Sequence, residues 1–200
     1  GNIFNVMVRN WLSPVVGRDI KDGTLSVFLV KPIRYLTFIL WKEVGRVSVA
    51  FLMSVVTQVI VVLFFLDRFL INRDLRVLGL IASMLVLAFL TELLLSFLIG
   101  LIAFWTDEVD GLYQSVDRLK KFFAGGYFPL SLLPATIASL ATFLPFAYAF
   151  YVPSQLYLEK MTLTEGAIGL GIQALWIILL LGLIEVVWRR GLRRYEGIGI

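Results

Sequence analysis

The chain has 200 residues, 60% of them hydrophobic and only 16% charged, with a mean hydropathy of +0.91; one soluble core of this size cannot hide that much apolar surface, so the excess must face lipid. It contains no cysteine and no histidine, which excludes thiolate and imidazole metal sites, disulfides and any Cys or His nucleophile–base pair. The net charge of +4 does not argue for nucleic acid, because the Lys and Arg residues cluster beside apolar stretches, where they anchor to anionic headgroups and set orientation.

Residues 1–10 lack a basic segment followed by an apolar one, so they do not read as a signal peptide but as the tail of something longer. Residues 11–46 mix Arg18, Lys21, Lys31, Arg34, Lys42 and Arg46 with apolar side chains and read as interfacial and cytoplasmic. Within them, Ser13-Pro14 suits a helix start and Gly23 a helix end, which predicts a short helix over 14–22; another turn or two follows over 24–30, and Pro32 opens a new helix. Residues 47–66 carry no formal charge, and at helical rise they cover roughly 30 Å, the hydrocarbon thickness. After a polar turn containing Asp67, Arg68, Arg73, Asp74 and Arg76, residues 77–105 form a second apolar stretch interrupted only by Glu92. A third crossing is expected over 111–128, although it carries Asp117, Arg118, Lys120 and Lys121.

The next apolar stretch holds Pro129, Pro134, Pro145 and Pro153 together with Gly125-Gly126. Proline breaks the helical hydrogen-bond ladder, and broken backbone at membrane depth is tolerated only where protein or a water-filled cavity satisfies the freed groups. A re-entrant hairpin over 130–153 is the expected result, with Phe143, Phe146, Tyr148, Phe150 and Tyr151 as an aromatic belt around it. A last span over 167–188 precedes a basic flank with Arg189, Arg190, Arg193 and Arg194, which marks the cytoplasmic side. Both basic ends lie inside if the number of crossings is even, so four are expected: 47–66, 77–105, 111–128 and 167–188. The expected fold class is an all-α polytopic membrane protein, with residues 1–200 as a single transmembrane domain.

At Asp19-Ile20-Lys21-Asp22-Gly23-Thr24-Leu25, followed by Leu29-Val30-Lys31-Pro32-Ile33, the chain resembles the permeases of ABC type-2 exporters. The likeness continues through Phe104-Trp105-Thr106, Gly125-Gly126-Tyr127-Phe128-Pro129-Leu130, Leu133-Pro134, Leu144-Pro145-Phe146 and Gly191-Leu192-Arg193-Arg194-Tyr195, in the family's order. The resemblance implies a transmembrane helix bundle with a cytoplasmic coupling helix and a re-entrant hairpin before the last helix, in the inner membrane of a bacterial cell. Such permeases carry two transmembrane helices before the D-G-T-L segment, of which residues 1–200 are expected to hold only the last few residues of the second, either because the sequence is part of a longer chain or because this is a shortened relative. It also implies a separate ABC ATPase (nucleotide-binding) subunit holding ATP and Mg, and a second permease copy or homologue in a homodimer or heterodimer. The ATPase-subunit interface would be Arg18, Asp19, Lys21, Asp22, Gly23 and Thr24, with Val16 and Ile20 supplying apolar contact area to the partner. The competing reading is a helix lying on anionic membrane lipids with its basic residues snorkelling. No G-x-x-x-x-G-K-[ST] loop is present, so this chain binds no ATP that way and is read as a transport subunit rather than an enzyme, with no cofactor of its own.

Candidate pathway-lining residues are Asp117, Arg118, Lys120, Lys121 and Glu92, since charges within a span face a bundle interior or an aqueous cavity. Asp117 and Lys121 are spaced to pair, leaving Lys120 or Arg118 to meet an anionic ligand; alternatively the whole group is a solvated cytoplasmic turn. Glu92 is either a helix–helix hydrogen-bonding group or a cavity-facing carboxylate. Glu185 is expected to pair with Arg189 at i, i+4. Two rival functions stand beside a permease: a membrane-embedded lipid-modifying enzyme using Asp107, Glu108 and Asp110 to hold a metal, and a structural membrane subunit that transports nothing.

Overall fold

The computed structural model describes residues 12–64, 74–106, 109–127 and 130–195, which are helical and contain no strand. Helix α1, Leu12–Lys21, carries the apolar stripe Leu12, Val16 and Ile20 at i, i+4, i+8 and buries it. It starts two residues before the predicted 14–22 because Leu12 belongs to that stripe. A single turn, α2 (Leu25–Leu29), follows. The long helix α3 covers Tyr35–Phe64. It opens after Arg34 rather than at Pro32, because the Arg34 carbonyl accepts the first helical bond, from the Phe38 N–H at 3.1 Å. It therefore joins the apolar segment that begins at 47 to the charged residues before it in one rod of about 45 Å.

Helix α4, Leu75–Leu101, is capped by Asp74, whose carboxylate accepts from the Arg76 N–H at 2.9 Å, and tightens into a 3-10 turn over Ile102–Phe104. Helix α5, Val109–Phe123, has 15 residues, about 22 Å, and stops short of the expected 128. Gly125 takes φ 76°, and the Gly126 N–H returns to the Lys121 carbonyl at 2.9 Å, which closes the helix as only a left-handed residue can. Helix α8, Leu163–Leu192, begins with a reciprocal capping box between Thr162 and Glu165. The Leu75–Phe104 and Leu163–Leu192 helices are each long and apolar enough to cross a bilayer.

Between α5 and α8 the chain breaks into short pieces: a 3-10 turn at Leu130–Leu132, α6 at Ala135–Phe143, a 3-10 turn at Pro145–Ala149, and α7 at Tyr151–Tyr157. Pro134 and Pro145 sit at helix starts, where a missing N–H costs nothing. Side chains take up carbonyls that the breaks release. The Tyr148 hydroxyl donates to the Thr142 carbonyl at 2.7 Å, and the Trp176 indole N–H of α8 donates to the Phe143 carbonyl at 2.9 Å. Tyr148 is therefore buried and does not belong to the expected aromatic belt, whereas Phe143 and Phe150 are exposed.

Helix α4 is the centre of the assembly, packed by α8, α1, α7, α5 and the Pro145–Ala149 turn. It runs parallel to α8, from Leu80 beside Gly166 to Phe104 beside Gly191. Two apolar clusters result. One gathers α1, the start of α3 and the C-terminal halves of α4 and α8; the other gathers Met84, Leu130, Tyr148, Val152 and Leu156 near their N-terminal ends.

Candidate functional site

The charged residues within the apolar stretches come together on the facing surfaces of α4 and α5. Lys120 is only 2% exposed, and its ammonium is ion-paired and hydrogen-bonded to Glu92 of α4, also buried. Asp117, one turn earlier on α5, lies 3.7 Å from Lys120 and 2.7 Å from the Lys121 ammonium. The four groups form two carboxylates and two ammonium ions in alternation, which balances the charge of the buried Glu92–Lys120 end, while Lys121 at the other end stays partly exposed. The Lys120 ammonium also lies over the Tyr113 ring, 5.6 Å from its centroid.

The expected pairing of Asp117 with Lys121 is present, and Lys120, expected to meet a ligand, is instead committed to Glu92. A solvated turn does not describe Lys120. The structure leaves Arg118 apart from the cluster, on the exposed face of α5. Glu92 stands 12 residues before Phe104, roughly 18 Å along the helix, which places the cluster well away from the end of α4. Glu43 of α3 went unnoticed in the sequence, and Arg46 was read only as an interfacial cation; the two pair with each other, and Glu43 is buried. Their i, i+3 spacing at the edge of an uncharged run was the available signal. Gln173 was also missed. Fully buried in α8, it donates from Nε2 to the Met84 carbonyl of α4 at 3.2 Å.

The second region is α1 with the turn after it. Val16 and Ile20 do not supply contact area to a partner, because both are buried inside the chain, against α4 and its neighbours. Gly100 is the reason α1 can sit so close: a Cβ there would stand 2.6 Å from the Val16 Cβ and 3.1 Å from the Ser13 carbonyl oxygen. The Ser13 hydroxyl donates to the Ser96 carbonyl at 2.7 Å and locks the same contact. Of the six interface candidates, Arg18, Asp22 and Thr24 are exposed and Lys21 is partly so, whereas Gly23 is buried in the turn. The Asp19 carboxylate is occupied within the chain, accepting from the Tyr35 hydroxyl at 2.7 Å. Burial, reinforced by that carboxylate, raises the Tyr35 phenol pKa and keeps it a donor. Glu185 pairs with Arg189 at 2.6 Å as expected. Asp107 and Glu108, and the side chain of Asp110, lie outside the described residues.

Neither the curated proteins nor the solved structures provide a match. A family model described as ABC-2 family transporter protein matches residues 2–199, which includes α1, the charge cluster and every helix described above. The chain accordingly belongs to the ABC-2 transporter family and is a membrane permease component of an ABC transporter.

Proposed function

We propose that this chain is the transmembrane subunit of an ATP-driven exporter in the bacterial inner membrane, coupling nucleotide hydrolysis in a separate ABC ATPase subunit to substrate movement, with a second permease copy or homologue completing the pathway. The observation that carries this reading is the seating of α1 on α4. A short amphipathic helix is fixed to the central helix by Ser13, Val16 and Gly100, while Arg18, Asp22 and Thr24 are exposed and Lys21 is partly so. A push on that outward face is transmitted to α4, which carries Glu92 further along. This is what a coupling helix requires, and Asp19 and Gly23 serve it by holding the segment in place.

The topology that suits this role has four crossings. Helix α3 leads out and α4 returns; α5 and the turn that closes it lead out again, the broken segment enters and leaves on that side without crossing, and α8 returns to the basic flank. Support comes from the packing of Leu130 and Tyr148 beside Met84, near the opposite end of α4 from α1, so the chain covers most of the length of α4 between α5 and α7. The segment 130–153 is the re-entrant pair of this reading. The Glu92–Lys120–Asp117–Lys121 cluster joins α4 to α5 across the proposed pathway, and its ion pairs are the contacts that exchange when the helices move between two arrangements.

The test is charge reversal on the outward face, Arg18→Glu with Asp22→Lys, at equal expression. Like-charge juxtaposition against a matched surface costs several kcal/mol, so the partner ATPase should no longer co-purify and ATP turnover should fall, with the chain still inserted. Undiminished co-purification and turnover would reject the docking role.

A further inference from the structure

A cavity of about 320 Å³ opens where the α2–α3 linker meets the C-terminal half of α8. Its floor is aromatic and aliphatic. Tyr35 stacks on Trp188 with ring centroids 5.8 Å apart and planes 10° from parallel, Phe97 lies beside both, and Ile184 and Leu36 complete the wall. The rim carries Lys31 and Arg34, held on either side of Pro32-Ile33. Neither cation forms an ion pair among the described residues; Lys31 only lies over the Phe28 ring, 5.1 Å from its centroid. The acid at the rim, Glu185, is already neutralised by Arg189. The cavity therefore combines an apolar interior with two uncommitted cations at its mouth, and its size lies at the small end of roughly 300–1,000 Å³ for ligand sites.

We propose that this cavity is a binding site for an anionic phospholipid, with the headgroup phosphate held by Arg34 and Lys31 and the first part of one acyl chain lying on Tyr35, Phe97 and Trp188. Charge and location both select this occupant. An Arg fork and a Lys ammonium together match a phosphate diester, and an apolar floor has no use for a fully water-soluble anion. The basic run Arg189, Arg190, Arg193 and Arg194 continues from the same end of α8, and juxtamembrane cations of this kind meet the anionic cytoplasmic leaflet. That last point rests on the orientation proposed above; the chemistry of the cavity does not. The lipid would bridge the α2–α3 linker, immediately after the proposed coupling segment, to the last helix. Its presence would stiffen the join between the partner-facing segment and the membrane helices.

The experiment is a titration of the full chain, delipidated in a neutral detergent, with phosphatidylglycerol, phosphatidylcholine and the water-soluble headgroup glycerol-1-phosphate, read by native mass spectrometry. Wild type should bind phosphatidylglycerol about tenfold or more tightly than phosphatidylcholine. The pair Lys31→Gln with Arg34→Gln should lose roughly 10- to 30-fold of that affinity, the worth of two juxtamembrane cations, whereas the equal charge loss Arg190→Gln with Arg193→Gln should lose little. Because the rim substitutions are exposed and could still alter binding indirectly, Leu29→Trp, which adds bulk at the cavity wall with no change of charge, should weaken phosphatidylglycerol as well. Equal binding of both lipids, an equal loss in the two charge variants, or glycerol-1-phosphate binding as tightly as the lipid would overturn the proposal. Occupancy is read without ATP, a partner or an oriented membrane, so a failure here is separate from a failure of the coupling role.

Discussion

Lys120→Met removes the cation paired with Glu92, while Asp117 keeps Lys121 at 2.7 Å. Breaking a buried ion pair from one side costs about 3–5 kcal/mol, because the remaining charge is left in a poorly solvated place. For a chain of this size each kcal/mol moves the melting temperature by about 2–4 °C, so the loss should be roughly 6–20 °C. Glu92→Leu should cost about half as much, since the stranded Lys120 still has Asp117 at 3.7 Å. The double variant, Glu92→Leu with Lys120→Met, removes both charges and should recover most of the stability, because apolar replacement of a whole buried pair is close to neutral. The assay is thermal unfolding in detergent micelles across the four proteins, followed by partner-stimulated ATP turnover in lipid. An unchanged melting temperature in Lys120→Met, or a double variant no better than that single one, would refute the pairing as an energetic unit. If the pair also serves transport, the double variant will be stable yet poorly active; full recovery of both would make the pair structural only.

Gly100→Val should lift α1 from α4, since the new Cβ begins 2.6 Å from the Val16 Cβ; overpacking of this kind costs about 1–3 kcal/mol, and Val16→Ala in the same chain should restore part of both the melting temperature and the partner-stimulated turnover. Single cysteines placed in the naturally cysteine-free chain at the exposed positions Thr24, Lys160 and Arg193 give the topology. An impermeant maleimide added to intact cells should label position 160 and spare 24 and 193; labelling at 24 or protection at 160 would refute the four-crossing arrangement.

The two apolar helices α4 and α8 were legible because each contains a long apolar run bounded by polar flanks, a signal carried by the local sequence alone. The i, i+4 pairs Asp117–Lys121 and Glu185–Arg189 were legible for the same reason, as helix geometry fixes them once the helix exists. The partner of Lys120 was not. It lies 28 residues away on another helix, and only the way α5 folds back along α4 selects Glu92 over an external anion. The apolar face of α1 was misassigned to a partner because a sequence shows that Val16 and Ile20 will be buried but not by what. A helix was expected from Pro32, but its continuity with the span beginning at 47 was not, because Lys42 and Arg46 read as interfacial charges; Glu43 and Arg46 pair along one face of the helix, so the charges do not interrupt it. Proline marked the broken segment correctly as irregular, while the carbonyl partners that make the breaks tolerable, Tyr148 and Trp176, are set by tertiary packing.

The central claim is that this chain transmits work done by another subunit, and reconstitution into proteoliposomes tests it most directly. ATP hydrolysis should stay at background with the chain alone, rise when the partner ATPase is added, and fall again when the permease carries Arg18→Glu with Asp22→Lys. ATP turnover by the purified chain without a partner would contradict the account.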